Sequence, residues 1–274
     1  MRKFGLIGHP IGHSLSPALF KAGYDGRYSY DLIHTADFEE AYARFLEEYD
    51  GINVTAPFKE LAIKKADILS EECQKIGATN LLIKTQEGIK AHNSDYLGVR
   101  LWIEQISRLA SLARNDKGEV ARNDNEEAGR DDKMPTILIV GLGGAGKAAA
   151  EAARSLGCEI ILMNRTQYSE DIRPLSEFRA AFKAADIVIY NLPVRLHELD
   201  LLCGEDFIEG RPKHILEANY RTPSFDKALI QKLKGLHPET EYTGGEIWLL
   251  LQALTGYEIF TGEKPDLEKM AACL

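Results

Sequence analysis

The chain is poor in cysteine and carries none in a pairing pattern. Cys73, Cys158, Cys203 and Cys273 are scattered over its 274 residues with no CxxC pair. That spacing argues against a disulfide frame or a zinc site and fits reduced thiols in a cytoplasmic protein. Long apolar runs are missing as well: nowhere do about 18 apolar residues follow one another, so no membrane span is expected. The opening MRKFGLIGHPIGHS enters a strand-like run without the apolar core of a signal peptide. Positive charge is in deficit, 33 Lys and Arg against 42 Asp and Glu, for a net charge of −9. With no Lys/Arg cluster to follow a phosphate backbone, a nucleic-acid footprint is excluded. No His/Cys/Asp cluster has ligand spacing, so no metal is expected. What is present is 45% hydrophobic residues, enough for a substantial core. Composition therefore points to a soluble, cytoplasmic protein; a small-molecule partner and a monomeric or homodimeric state are expectations that composition does not itself give.

Strand-like and helix-like segments alternate, the mark of an α/β architecture with largely parallel sheets. In the first third, strands are expected at Lys3–Gly8, Tyr28–Ile33, Gly51–Thr55 and Thr79–Lys84, with helices at Ser16–Gly23, Phe38–Glu48 and Glu60–Ala66. Asn80–Lys84 and Gly88–His92 read as a hairpin turning at Gln86-Glu87-Gly88. A helix from Tyr96 to Leu112 precedes an abrupt change. Residues Asn115–Lys133 hold seven acidic and four basic side chains, no aromatic, and only Val120, Ala121 and Ala128 as apolar groups. Such a segment cannot bury enough surface to offset its ordering entropy and reads as a solvated linker or loop insertion. A second α/β unit follows, with strands at Thr136–Val140, Glu159–Asn164, Asp186–Tyr190 and His214–Glu217 and a helix at Gly144–Ser155. The chain closes with helices at Glu246–Leu254 and from Asp266. Two α/β domains are expected, residues 1–101 completed by 246–274, and residues 102–245 carrying the charged insertion at 115–133.

The sharpest motif is Gly141-Leu142-Gly143-Gly144-Ala145-Gly146, directly after the apolar run Ile137–Val140 and before a helix of small residues. Glycines at a βα junction permit a tight turn and let backbone N–H groups approach a pyrophosphate at the helix N-terminus, as in a Rossmann-type dinucleotide site. A lone GxGxxG says little, and the strand–turn–helix context is what gives it weight. NAD-binding units usually place an acidic residue at the end of the next strand, about 20 residues on, for the ribose 2′-hydroxyl. Here that strand ends Met163-Asn164-Arg165-Thr166. An arginine pairs bidentately with a 2′-phosphate and a neutral Asn does not repel it, so NADP is the expected cofactor. The sequence also accommodates Arg165 as a solvated strand-end charge. Lys147, on the first helical turn, could approach phosphate or be solvated.

The first domain concentrates polar residues at strand ends, where open α/β sheets bind ligands. Ser14 and Ser16 follow the first strand, Asn53, Thr55 and Lys59 the third, Asn80 lies in Gly77-Ala-Thr-Asn80, and Asn93-Ser-Asp95 ends the hairpin. This inventory suits a small ligand with several hydroxyls and a carboxylate. Each residue alone has a second reading. Ser16 before Pro17 suits a helix N-cap, Asp95 likewise, Asn80 a turn, and Lys59 a solvated helix start.

Taken together, the strings GLIGHPIGHSLSP, GINVTAPFKE, GATNLLIK, HNSDYLG, VGLGGAGKAAA, MNRT and GGEIWLLLQA, collinear from residue 4 to about residue 256, resemble the shikimate dehydrogenase family. The resemblance implies reversible reduction of 3-dehydroshikimate to shikimate with NADP, in chorismate and aromatic amino acid biosynthesis. It implies Lys59 and Asp95 as the catalytic pair, and Ser14, Ser16, Asn53, Thr55, Asn80, Tyr220 and Gln252 as substrate contacts. It implies Gly141, Gly143, Gly144, Ala145, Gly146, Asn164, Arg165, Thr166 and Gly245 around the cofactor, Tyr220 and Gly245 flanking the nicotinamide, and a cleft between the domains. The chain departs from the family at Asn191-Leu-Pro193-Val, where a TP step is usual, at Arg221-Thr-Pro-Ser-Phe225, and at His92, where Gly or a small or polar residue is common. Readings that compete are a quinate/shikimate dehydrogenase accepting either cofactor, an aminoshikimate relative, and a non-catalytic sensor; retention of both Lys59 and Asp95 argues against the last.

Overall fold

The computed structural model describes residues 2–118 and 134–274, with side chains described outside 109–118. Two compact units emerge, Met1–Val99 with Glu246–Leu274, and Arg100–Gly245.

The first unit runs β1 (Lys3–Gly8), α1 (Ser16–Gly23), β2 (Ser29–His34), α2 (Phe38–Glu48), β3 (Gly51–Val54), α3 (Lys59–Ala62), β4 (Ile68–Leu69), α4 (Glu71–Ile76), β5 (Leu81–Thr85), β6 (Gly88–His92) and the start of α5 (Ser94–Gly118). Its sheet has the order β2-β1-β3-β5-β6-β4, with β5 antiparallel to β3 and β6 and the other pairs parallel. Successive strand residues face opposite sides, so each strand feeds two cores. Ile7, Ile52, Val54 and Leu82 pack with Phe38, Phe45 and Phe58 under α2 and α3. Phe4 and Leu81 face Leu19, Phe20, Tyr257 and Phe260 on the other side.

The second unit contains β7 (Thr136–Val140), α6 (Gly144–Ser155), β8 (Glu159–Met163), β9 (Ile172–Arg173), α7 (Phe178–Ala184), β10 (Ile187–Tyr190), β11 (Lys213–Glu217), α8 (Lys227–Leu236) and β12 (Thr240–Thr243). All its strand pairs are parallel, in the order β12-β11-β10-β7-β8-β9. This is the Rossmann order, reversing between β7 and β10, the crevice where such sheets hold dinucleotides. The core strands are continuously apolar because both faces are covered: Ile137–Val140 and Ile187–Tyr190 are buried at every position. Finally α9 (Gly245–Thr261) and α10 (Leu267–Ala271) close the chain, Leu250, Ala253, Tyr257 and Phe260 of α9 joining the core of the first unit.

Several expectations need correction. The helix after Asn93 continues to Gly118 rather than ending at Leu112, so Asn115–Gly118 belongs to it; the rest of the charged segment lies outside the described residues. The helix expected at Glu60–Ala66 is a short α-turn from Lys59 followed by a 3₁₀ turn, Ile63–Lys65. The helix from Glu246 runs on to Thr261, through Gly256, because its apolar residues have a core to cover.

Candidate active site and nucleotide turn

Lys59 opens α3, anchored by the buried Phe58 just before it and by the Thr79 N–H, which donates to the Lys59 carbonyl at 3.2 Å. Its ammonium reaches Asp95, Nζ to Oδ2 at 2.5 Å, with 19% and 16% of the two side chains exposed. A charge pair so shielded interacts more strongly than one in water. Asp95 is not the N-cap of its helix. That role falls to Asn93, whose Oδ1 accepts from the Tyr96 N–H at 3.1 Å while its Nδ2 donates to the Ala78 carbonyl. The Asp95 carboxylate is thereby released to meet Lys59, and the Trp248 indole N–H fixes its backbone carbonyl at 3.1 Å.

The same unit carries amides and hydroxyls at four strand ends, several linked by hydrogen bonds. Ser16 is not an N-cap either; Leu15 stands there, and the Ser14 hydroxyl accepts from the Ser16 N–H and donates to Ser16 Oγ. Asn53 is buried with Oδ1 accepting from the Tyr30 hydroxyl at 2.7 Å and Nδ2 donating to the Asn80 carbonyl. Asn80 Oδ1 accepts from the Ser94 N–H at 2.7 Å, and Ser94 Oγ donates onward to Gln252 Oε1 at 3.0 Å. In each of the three amides the oxygen is held by the protein, so what can face a ligand is N–H. Thr55 is half-buried at the end of β3, its N–H donating to the Ile7 carbonyl. Sequence reasoning missed Tyr30, Tyr257, Ser94 and Trp248. Burial pushes the Tyr30 hydroxyl well above its ordinary range, and that of Tyr257 upward, so both remain neutral donors. Nothing local in the sequence marks a tyrosine that serves an amide 23 residues away.

Behind the Asn93 turn lies Glu72, in the first turn of α4. Burial pushes its carboxyl up, but the nearby His92 imidazole and hydrogen bonds from Ser70, its own N–H and the Asn93 N–H outweigh this and bring it down to about 2. The unfolded value is near 4.5. Between those two values the unfolded chain binds more protons, so the stability Glu72 contributes is full above pH 4.5 and disappears as the pH falls through about 2. It amounts to about 3 kcal/mol at most. Urea unfolding of the wild type and Glu72→Gln at stepped pH checks this: the stability gap narrows from pH 4.5 downward, and a constant gap would contradict it.

In the second unit the glycine turn has the geometry that a dinucleotide requires. Gly141 sits at φ +89°, which favours glycine, and its N–H donates to the Met163 carbonyl at 2.8 Å. A Cβ on Gly146 would lie 1.9 Å from the Gly141 carbonyl oxygen, so only glycine lets α6 start this close to β7. At Gly143, by contrast, a Cβ would meet nothing within 4 Å. The fold does not demand glycine there, whereas a phosphate approaching the backbone would. Gly144 and Ala145 form the first helical residues. Asn164 Oδ1 accepts from the Leu142 N–H, tying the turn to the end of β8, and its Nδ2 donates to the Thr166 carbonyl. Arg165 is exposed beside it, without an ion pair to a described residue. At the end of β10, next to the turn, Asn191 Oδ1 is buried without a hydrogen-bond partner. An orphaned acceptor at the switch point fits a hydroxylated ligand there. These residues fit a dinucleotide. Tyr220 is half-buried after β11, and Gly245 packs so tightly that a Cβ would meet the Ala218 oxygen at 2.6 Å, a reason for glycine independent of any ligand.

Two family models match separate stretches of the chain. A family model described as the shikimate dehydrogenase substrate binding domain matches residues 6–82. The shikimate dehydrogenase of Thermotoga petrophila is 27% identical over 271 residues, covering 94% of this chain and 93% of that protein. Shikimate 5-dehydrogenase from Thermus thermophilus, solved in complex with NADP(H) and shikimate, superposes with a TM-score of 0.71 at 26% identity, covering 100% of this chain and 98% of that one. The chain is thus similar to shikimate dehydrogenases over nearly its whole length. A second model, the NAD binding domain of D-isomer specific 2-hydroxyacid dehydrogenases, matches residues 101–234. The pentafunctional AROM polypeptide of Scheffersomyces stipitis is 27% identical over 299 residues, and the match takes in 95% of this chain but only 17% of that polypeptide.

Proposed function

We propose that this chain is an NADP-dependent shikimate dehydrogenase, with Lys59 and Asp95 moving the proton. The observation that carries the reading is the 2.5 Å contact between Lys59 Nζ and Asp95 Oδ2, in the unit that also holds the hydrogen-bonded hydroxyls and amides. Those donors suit acceptor-rich ligands such as a polyhydroxylated carboxylate: the hydroxyls of Ser14 and Ser16 face the carboxylate, and the amides of Asn53, Asn80 and Gln252 face ring oxygens, with Thr55 beside them. Bound NADP supplies the hydride acceptor for the alcohol carbon, and its reduced form the donor for the ketone. Oxidation also requires the hydroxyl proton to leave. Lys59 as amine, or a water it holds, takes that proton; in reduction Lys59 as ammonium returns it to the forming hydroxyl. Asp95 holds the ammonium in one orientation. NADP would be held by the turn Gly141–Gly146, by Asn164, Arg165 and Thr166 at the 2′-phosphate end, and by Tyr220 and Gly245 at the nicotinamide.

Purified protein tests this reading through shikimate-dependent formation of NADPH. Arg165→Ala tests the cofactor assignment separately. Loss of a charged pairing to the 2′-phosphate lowers the preference for NADP⁺ over NAD⁺ in kcat/KM by about tenfold to a hundredfold. Equal weakening of both cofactors would remove Arg165 from the phosphate site.

A further inference from the structure

The turn that delivers Asp95 is held from three sides. Thr79 Oγ1 donates to the His92 carbonyl at 2.6 Å, the Ser94 N–H donates to Asn80 Oδ1 at 2.7 Å, and the Asn93 N–H donates to Glu72 Oε1 at 3.2 Å. Only the third partner is charged. Its side chain is 13% exposed, and the same oxygen accepts from Ser70 Oγ at 2.5 Å and faces His92 Nδ1 at 3.7 Å. Burying a carboxylate is costly unless it is well solvated by donors. A helix start needs no acceptor shared with the Asn93 turn, so the Oε1 that takes both the Ser70 hydroxyl and the Asn93 N–H calls for a further reason.

We infer that Glu72 is a positioning residue for the proton-transferring pair, acting on Lys59 through the Asn93 turn and Asp95. Asn93 is 1% exposed, so its N–H has no water to turn to when Glu72 is removed. An unsatisfied buried donor drives the turn to rearrange. Asn93 is also the cap of α5, and Asp95 stands two residues further on in the first helical turn, so rotation of the cap moves the carboxylate that holds Lys59. A displacement of about 1 Å at a reacting group costs roughly a hundredfold in rate. His92 completes the arrangement from the end of β6, presenting its imidazole to the same carboxylate. This inference rests on the proposed shikimate dehydrogenase reading.

The test is a double-mutant cycle on the full-length protein, following NADPH formation from shikimate. Glu72→Ala lowers kcat by about tenfold to a hundredfold, with shikimate KM changed no more than about threefold. Glu72→Gln, which keeps an oxygen acceptor for the Asn93 N–H, recovers most of the loss. In an Asp95→Asn background, assayed at high enzyme concentration, Glu72→Ala changes kcat by no more than about twofold, because the group it positions is already disabled. If Glu72→Ala does not fold, Glu72→Gln carries the same comparison, its smaller loss vanishing with Asp95→Asn. Equal factors in the two backgrounds, or an effect confined to KM, would overturn the assignment and leave Glu72 a residue of the α4 turn. Wild-type turnover separates the two failures: without it the functional reading falls, and with it only the role of Glu72 does.

Discussion

Lys59→Ala lowers kcat for shikimate oxidation by about 10²–10⁴-fold, the usual contribution of a positioned acid or base. Shikimate KM changes little, because the donors from Ser14, Ser16, Asn53 and Asn80 remain in place. The size of the effect follows from geometry. Asp95 accepts from Lys59 at 2.5 Å, and the neighbouring serine hydroxyls and side-chain amides cannot replace the lysine as acid or base. Removing the lysine also leaves the Asp95 carboxylate partly buried and unpaired, which lowers stability as well as rate. Melting temperature must therefore be measured with kcat, at a temperature where the variant is folded. A folded Lys59→Ala protein with near-wild-type kcat would exclude Lys59 from proton transfer.

Gly146→Ala has the second large effect, and it arises in the other unit. The new methyl would lie 1.9 Å from the Gly141 carbonyl oxygen and 2.9 Å from its carbon, both backbone atoms that no rotamer change can remove. Either α6 withdraws from β7 or the turn Gly141–Gly143 opens; both spoil the array of N–H groups that would receive the pyrophosphate. Overpacking of this kind costs about 3 kcal/mol, and the substitution abolishes measurable NADP⁺ binding by calorimetry while leaving shikimate binding to the first unit intact. Gly143→Ala is the informative contrast. Its Cβ meets no protein atom within 4 Å, so stability holds and only the dinucleotide is repelled. Undiminished NADP⁺ affinity in both variants would contradict placement of the pyrophosphate at this turn.

The legibility of the chain in its sequence follows the strength of each local signal. Runs such as Thr136–Val140, buried on both faces, and the helices Ser16–Gly23, Phe38–Glu48 and Gly144–Ser155 could be read to the residue. Elements too short to show a period could not. The two-residue strands Ile68–Leu69 and Ile172–Arg173 exist because a neighbouring strand offers an open edge. The helix Glu71–Ile76 had Ser70 before it and Gly77 after it as punctuation, but less than two turns of pattern between them. Phe178–Ala184 and Lys227–Leu236 carry better signals, Phe178, Ala181 and Phe182 on one face and Asp226 as a cap. The glycine turn could be derived from physical chemistry because its motif is local. Lys59 and Asp95 are 36 residues apart, and each had a reasonable surface or capping role; only the fold shows that Asn93 takes the cap and leaves Asp95 to the lysine. Tyr30, Trp248 and Tyr257, which steady Asn53, Asp95 and Ser16, had no signal beyond being aromatic.

The most direct test of the central claim is an absorbance assay for NADPH with purified protein, shikimate and NADP⁺, run beside quinate and NAD⁺. The account predicts shikimate-dependent NADPH formation by the wild type, slower turnover with quinate or with NAD⁺, and near-complete loss in Lys59→Ala. Folded wild-type protein that forms no NADPH from shikimate, or a Lys59→Ala variant that forms it as fast as the wild type, would contradict it.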